Sequence, residues 1–220
     1  MAEVLTPKDK QKKGRNGFNG DDNGWESFQP GHNGSRGDGM FNKSVFGLLV
    51  FIATEIMIFA GLISAFIVLK ANTTQWPPPG QPRLPVAITG LNTFFLLLSG
   101  VAIYQAVQAL KKENQARFKL LLLTTGILGT VFLVIQGYEW LRLLGYGLTM
   151  KSSIYGSTFY TLIGAHGTHV MIAVLVLIWV LIRAIRGHYN SENRNGVVLC
   201  QIYWFFVVGI WPVLYLLVYF

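Results

Sequence analysis

Residues 45–69 read VFGLLVFIATEIMIFAGLISAFIVL, an apolar stretch that contains one charged side chain, Glu55. An α-helix needs roughly 20 predominantly apolar residues to cross the roughly 30 Å of hydrocarbon in a bilayer. Four further stretches of similar length and composition follow, at residues 86–110, 120–141, 154–182 and 197–220. The sequence therefore predicts an all-α, polytopic membrane protein with five transmembrane helices.

The overall composition agrees with a membrane protein. Charged residues make up 13% of the chain and apolar residues 52%, whereas a soluble domain carries roughly 25% charged residues. The net charge of +8 comes from basic residues in the N-terminal segment and between the apolar stretches, where lipid headgroups rather than nucleic acid would meet them. The single cysteine, Cys200, lies within an apolar stretch and excludes a disulfide framework or a thiolate metal cluster.

The first 43 residues differ sharply from the rest. They are rich in Gly, Asn, Asp and Lys, and such a segment cannot bury enough apolar surface to offset its chain entropy. We predict that residues 1–43 form a tail that is disordered or ordered by a partner, and that residues 44–220 form the five-helix bundle.

The positions of Lys and Arg predict the orientation, because cytoplasmic segments are enriched in them. One side of the membrane would receive the basic residues Lys8, Lys10, Lys12, Lys13, Arg15, Arg36, Lys43, Lys111, Lys112, Arg117, Lys119, Arg183, Arg186 and Arg194. The other side would receive only Lys70, Arg83, Arg142 and Lys151. The N-terminus and the tail are therefore predicted to be cytoplasmic and the C-terminus periplasmic.

Four ionisable side chains lie inside the predicted helices, namely Glu55, Glu139, His166 and His169. An acidic side chain at the centre of a bilayer costs at least about 2.5 kcal/mol, so each should face protein and find a partner. At 1.5 Å per residue from the nearest cytoplasmic basic residue, Glu55 and His169 lie at depths of roughly 18 and 21 Å. Glu139 and His166 lie at roughly 30 and 26 Å. The matched depths predict two pairs, Glu55 with His169 and Glu139 with His166.

These residues permit more than one role. His166 and His169 share a helix face and could ligate a metal or heme, but no other helix offers the further ligands that such a site needs, which favours hydrogen-bonded packing. Glu55 could hold a mobile proton or make a structural hydrogen bond between helices. The sequence alone leaves both roles for Glu55 open.

Four stretches, in their order and spacing, resemble subunit III of the heme-copper cytochrome c oxidases. They are TEIMIFAG at 54–61, WPPPG at 76–80 with LNT at 91–93, YGSTFY at 155–160 with HGTHV at 166–170, and Tyr203-Trp204 with Trp211. Five helices resemble the short bacterial form of that subunit, which lacks the first two of seven. The resemblance therefore implies a multi-pass protein of the bacterial inner membrane.

The resemblance also implies a role. Such a subunit carries no metal, because heme and copper belong to subunits I and II; it packs on subunit I, supports proton uptake and holds ordered phospholipid. Glu55, Glu139, His166 and His169 correspond to buried polar residues of the family. Arg183 corresponds to a lipid headgroup ligand, although a snorkelling arginine that sets topology would look the same.

The chain departs from the family at two positions and in its tail. Many members read WHFVDVVW in the last helix, whereas this chain reads WFFVVGIW at 204–211, so that Phe205 and Val208 replace the usual His and Asp. The Gly- and Asn-rich tail is also atypical and could dock a further respiratory complex.

Other functions compete with an accessory subunit of a cytochrome c oxidase. The equivalent subunit of a quinol oxidase or a nitric oxide reductase would share these features. A self-contained proton-coupled transporter would use Glu55 and the histidines as a relay, but it should show repeat symmetry and discontinuous helices, and the sequence shows neither.

Overall fold

The computed structural model describes residues 36–73, 75–76, 86–151 and 153–219. They form five helices: α1 (Arg36–Ala71), α2 (Val86–Lys111), α3 (Gln115–Gly145), α4 (Ile154–Ile185) and α5 (Asn195–Tyr219). All five are long and apolar enough to cross a membrane. The prediction of an all-α protein with five candidate spans is confirmed.

The helices extend beyond the apolar stretches that predicted them. The side chain of Asn114 accepts a hydrogen bond from the backbone N–H of Arg117 at the start of α3, and Ser153 accepts one from Gly156 at the start of α4. Such caps set where a helix begins, whereas hydropathy marks only the part that contacts hydrocarbon. α1 likewise begins at Arg36, inside the segment predicted as a tail. Residues 1–35 and the proline-rich stretch at 77–85 lie outside the described residues.

Four of the helices form a closed ring of neighbours. α2 packs on α3, α3 on α4, α4 on α5, and α5 on α2, while α1, among the described helices, lies against α4 and α5. The ring encloses the largest buried side chains contributed by α3, α4 and α5, namely Phe118, Phe132, Phe159, Trp204 and Trp211. The free side of α1 is apolar, with Met57 74% exposed, as expected for a helix that faces lipid.

Two tryptophans fasten α5 to α2. The indole N–H of Trp204 donates to the Ser99 hydroxyl at 3.0 Å, and that of Trp211 donates to the Thr93 hydroxyl at 2.8 Å. The two residues are seven positions apart and therefore lie on one face of α5, two turns from each other. Hydrogen bonds between helices add to packing in a membrane, where burial of apolar surface does not drive association.

Candidate functional site

A hydrogen bond joins α1 to α4 within the apolar part of the bundle. The Nε2 atom of His169 lies 2.9 Å from Oε2 of Glu55, and the two side chains are 18% and 14% exposed. The depth argument predicted this pair, and the prediction is confirmed. The contact turns the carboxyl of Glu55 toward α4 and leaves both side chains partly buried.

The other ring nitrogen of His169 determines where the protons lie. Nδ1 is 2.7 Å from the carbonyl oxygen of Ala165, one turn earlier in α4. A carbonyl can only accept, so Nδ1 carries a proton. One further proton must then lie between Nε2 and the Glu55 carboxyl. The pair is either neutral imidazole with a carboxylic acid or imidazolium with carboxylate, and it has no net charge in both forms.

Aromatic rings surround the pair. Phe59, one turn after Glu55 in α1, lies with its ring centroid 5.2 Å from that of His169, and Phe206 of α5 approaches to 6.5 Å. These rings cover part of the pair and strengthen the hydrogen bond by lowering the local dielectric constant.

A groove leads from the pair toward the ends of α1 and α5 that bear the predicted cytoplasmic segments. It has a volume of about 680 Å³. Its lining residues come from α1, α4 and α5 and are Ser44, Leu48, Phe51, Glu55, His169, Ile172, Val176, Trp179, Val180, Gly196, Leu199, Cys200 and Tyr203. Its size falls within the range of roughly 300–1,000 Å³ that is usual for ligand pockets. Most of the lining is apolar, and Glu55 and His169 provide polar groups within it.

Arg183 lies near the end of α4, one turn beyond Trp179. Its guanidinium lies 4.9 Å from the centroid of the Trp179 ring and 5.8 Å from that of Tyr189. Tyr189 lies in the connection between α4 and α5, where burial raises the pKa of its phenol and the charge of Arg183 opposes that rise. The two rings hold the guanidinium of Arg183 beside Trp179, which lines the groove.

The second predicted pair does not form. Neither ring nitrogen of His166 has a hydrogen-bond partner among the described residues. The ring instead stacks on Trp211 at 4.9 Å and meets the edge of Phe132 at 6.4 Å. Oε1 of Glu139 lies 3.9 Å from Nη1 of Arg142, one turn later in the same helix.

The reason is the position of Glu139 along α3, which the depth count from the nearest basic residue did not give correctly. Phe132 lies seven residues before Glu139, so the two share a face of α3 two turns apart, and it is the ring of Phe132 that meets His166. Trp140, the neighbour of Glu139, lines a cavity together with His166. The prediction that Glu139 pairs with His166 was therefore wrong, although both side chains are buried.

Sequence reasoning missed several contributors to the site. The Ala165 carbonyl is a backbone group, so the identity of the residue does not reveal it. Trp179 and Phe206 are of types that are common both on lipid-facing surfaces and in cores. The spacing of Phe59 four positions after Glu55 was available as a signal, since residues at i and i+4 share a helix face.

No group of three or more His, Cys, Asp or Glu side chains that could hold a metal ion is found in the part of the chain that the structure describes. His169 uses both ring nitrogens in hydrogen bonds. That this chain carries no metal stays a prediction.

Comparison with known proteins identifies what the chain is similar to. A model of the family described as cytochrome c oxidase subunit III matches residues 26–220. Cytochrome c oxidase subunit 3 of Thermostichus vulcanus is 38% identical over 176 residues, which cover 80% of this chain and 86% of that protein. The protein of the same name from Synechocystis sp. is 34% identical over 80% of this chain and 74% of its own length. That from Rattus norvegicus is 35% identical over 79% and 68%.

Proposed function

Because the chain belongs to the cytochrome c oxidase subunit III family, we propose that it is the accessory subunit of a respiratory cytochrome c oxidase. In this role it packs directly on subunit I, with subunit II as a further neighbour, and stabilises the oxygen-reducing core. Heme and copper are held by those subunits and not by this chain. The match over residues 26–220 carries the proposal.

The Glu55–His169 pair gives this subunit a means of supporting proton uptake. The pair holds one proton between two groups, with the imidazole oriented by the Ala165 carbonyl. The proton can move between the imidazole and the carboxyl with only a small movement of heavy atoms. We assign to it a supporting role in delivering protons from the cytoplasmic side to subunit I.

The groove and Arg183 together suit a phospholipid. The apolar walls accept an acyl chain, and the guanidinium above Trp179 can bind a phosphate. Glu55 and His169 line the same groove, so a lipid bound there would control access of water to the pair. Ordered lipid is thus part of the proposed function.

The proposed location is the bacterial inner membrane, with the N-terminus cytoplasmic and the C-terminus periplasmic. Residues 1–43 would then lie where they can dock a further respiratory complex. The equivalent subunit of a quinol oxidase or a nitric oxide reductase is the alternative within the same superfamily. The names of the relatives favour cytochrome c oxidase.

Purification of the tagged chain from its native membrane in mild detergent tests the proposal. We expect it to bring down a heme-containing subunit and cytochrome c oxidase activity. A complex that oxidises quinol but not cytochrome c would replace the proposal by its alternative. A chain that purifies alone and transports ions in vesicles would contradict both.

A further inference from the structure

A second cavity lies between α3 and α4, separate from the groove that holds the Glu55–His169 pair. Its volume is about 220 Å³, and Trp211 of α5 also lines it. Gln136 and Trp140 line it from α3, and His166 lines it from α4. All of its lining residues are uncharged when His166 is neutral.

Three nitrogen atoms of residues that line this cavity lack hydrogen-bond partners within the described residues. His166 is 1% exposed, yet both of its ring nitrogens are without a hydrogen bond there, and the same is true of the buried Nε1 of Trp140. Neutral imidazole has one donor and one acceptor, and indole has one donor. A buried polar group left unsatisfied is costly, so these three nitrogens indicate a ligand that both donates and accepts.

Trp140 of α3 packs on α4 at the turn that carries His166. A Cβ atom on Gly167, the residue after His166, would lie 3.2 Å from the indole ring of Trp140, and one on Gly164 would lie 3.8 Å from it. The two glycines therefore let the six-membered ring of the indole approach α4 closely, in the turn that carries His166. Gln136, one turn before Trp140, adds an amide that already donates to the Tyr219 hydroxyl at 3.4 Å.

Water fits this set of partners better than other small ligands. It donates and accepts, it makes about three hydrogen bonds when buried, and one molecule takes about 30 Å³, so the cavity has room for it. An anion would meet no cation in the lining, and an acyl chain would leave the nitrogens unsatisfied. We propose that His166 and Trp140 form a site for ordered water between α3 and α4.

The site explains why a histidine lies in the aromatic cluster of Phe132 and Trp211. Stacking on Trp211 holds the imidazole plane, and the water would satisfy its edge. The water accepts a hydrogen bond from the Trp140 indole and makes another with a ring nitrogen of His166. It thus joins α3 to α4 in place of the Glu139–His166 pair that the sequence predicted.

High-resolution cryo-electron microscopy of the complex that contains this chain, in lipid nanodiscs, tests the site directly. We expect compact density about 3 Å from a ring nitrogen of His166 and from Nε1 of Trp140. A continuous acyl chain in the cavity, or no density there, would overturn the proposal.

Matched variants test the assigned partners. Trp140→Phe removes the indole donor and keeps an aromatic ring, so the density should weaken or vanish. Tyr138→Phe changes a neighbouring side chain of α3 that is 63% exposed and should leave the density as in the unaltered protein. Full density in Trp140→Phe would rule out the indole as a water ligand.

Discussion

At the scale of single residues, the Ala165 carbonyl determines what the Glu55 carboxyl can do. It fixes the proton of His169 on Nδ1, so Nε2 faces Glu55 either as an acceptor or as a donor. The carboxyl can therefore gain or lose a proton while the hydrogen bond between α1 and α4 persists. This is the property that separates a proton-holding pair from an ordinary structural contact.

Glu55→Gln separates the two roles. A glutamine amide can donate to Nε2 of neutral His169, so the helix contact survives, but it cannot exchange a proton in the physiological range. We expect proton uptake to slow, or the working life of the oxidase in turnover to shorten, by several-fold, with the melting temperature nearly unchanged. Glu113→Gln is the control and should behave as the parent protein. It alters an exposed carboxyl that accepts a hydrogen bond from the Ser191 hydroxyl.

The complementary change is Glu55→Ala, which removes the hydrogen bond as well. Hydrogen bonds between transmembrane helices contribute about 0.6 kcal/mol on average, so the loss of stability should be small. If Glu55→Gln matches the parent protein in turnover and Glu55→Ala alone shows a defect, the pair is structural.

Arg183 offers a second test at this scale. Arg183→Ala removes the charge held over Trp179 and Tyr189, so the purified complex should retain less phospholipid, as measured by mass spectrometry of extracted lipids. Arg186→Ala removes an exposed charge from the turn that follows α4 and serves as the control. Equal lipid content in the two variants would leave Arg183 as a topological charge only.

At the scale of elements, the fit of the Trp204 side chain of α5 against α3 depends on Gly129. A Cβ atom there would lie 2.5 Å from Cη2 of Trp204, and the ring of Trp204 is rigid, buried and hydrogen-bonded to Ser99. The same face of α5 carries Val208, where a polar residue is usual in the resembling family. Val208 packs on Gly100 of α2. A Cβ atom on Gly100 would lie 3.5 Å from Cγ1 of Val208, an ordinary contact distance.

Gly129→Ala should therefore destabilise the protein by about 1–3 kcal/mol through overpacking. Gly126→Ala, one turn earlier in α3, would meet only a flexible leucine at 3.8 Å and is the control. Thermal unfolding in detergent measures both. An unchanged melting temperature for Gly129→Ala would mean that Trp204 can move, contrary to the packing described.

The elements were more predictable than the contacts between them. Each span was visible as an apolar stretch because the length of a membrane helix follows from bilayer thickness. The Glu55–His169 pair was predictable because both residues lie at similar depth on helices that turn out to be neighbours. The Glu139–His166 pair was not, since a depth counted from the nearest basic residue does not fix the height of one helix against its neighbour. The ring of His166 instead contacts Phe132, on the face of α3 that also carries Glu139, and Trp211.

At the scale of the whole molecule, the ring of α2 to α5 forms the stable body and α1 is its peripheral helix. The Glu55–His169 hydrogen bond lies at the seam between α1 and this ring, and the groove follows the same seam. The proposed exchange of protons and lipid therefore occurs where the bundle is least enclosed.

The orientation can be measured with single cysteines in a Cys200→Ala background. Lys112→Cys in the α2–α3 connection should resist a membrane-impermeant maleimide added to intact spheroplasts. Met150→Cys in the α3–α4 connection, at a position 56% exposed, should react. The opposite pattern would invert the proposed topology and place the mouth of the groove on the outer side.

In the proposed function, this bundle serves a redox-active partner. The absorption spectrum of material purified through a tag on this chain, recorded before and after the chain is separated from its partners, tests that role. We predict heme bands in the intact complex and none in the isolated chain. Heme that stays with the isolated chain, or a native preparation without any heme-containing partner, would show that the chain does not have this role.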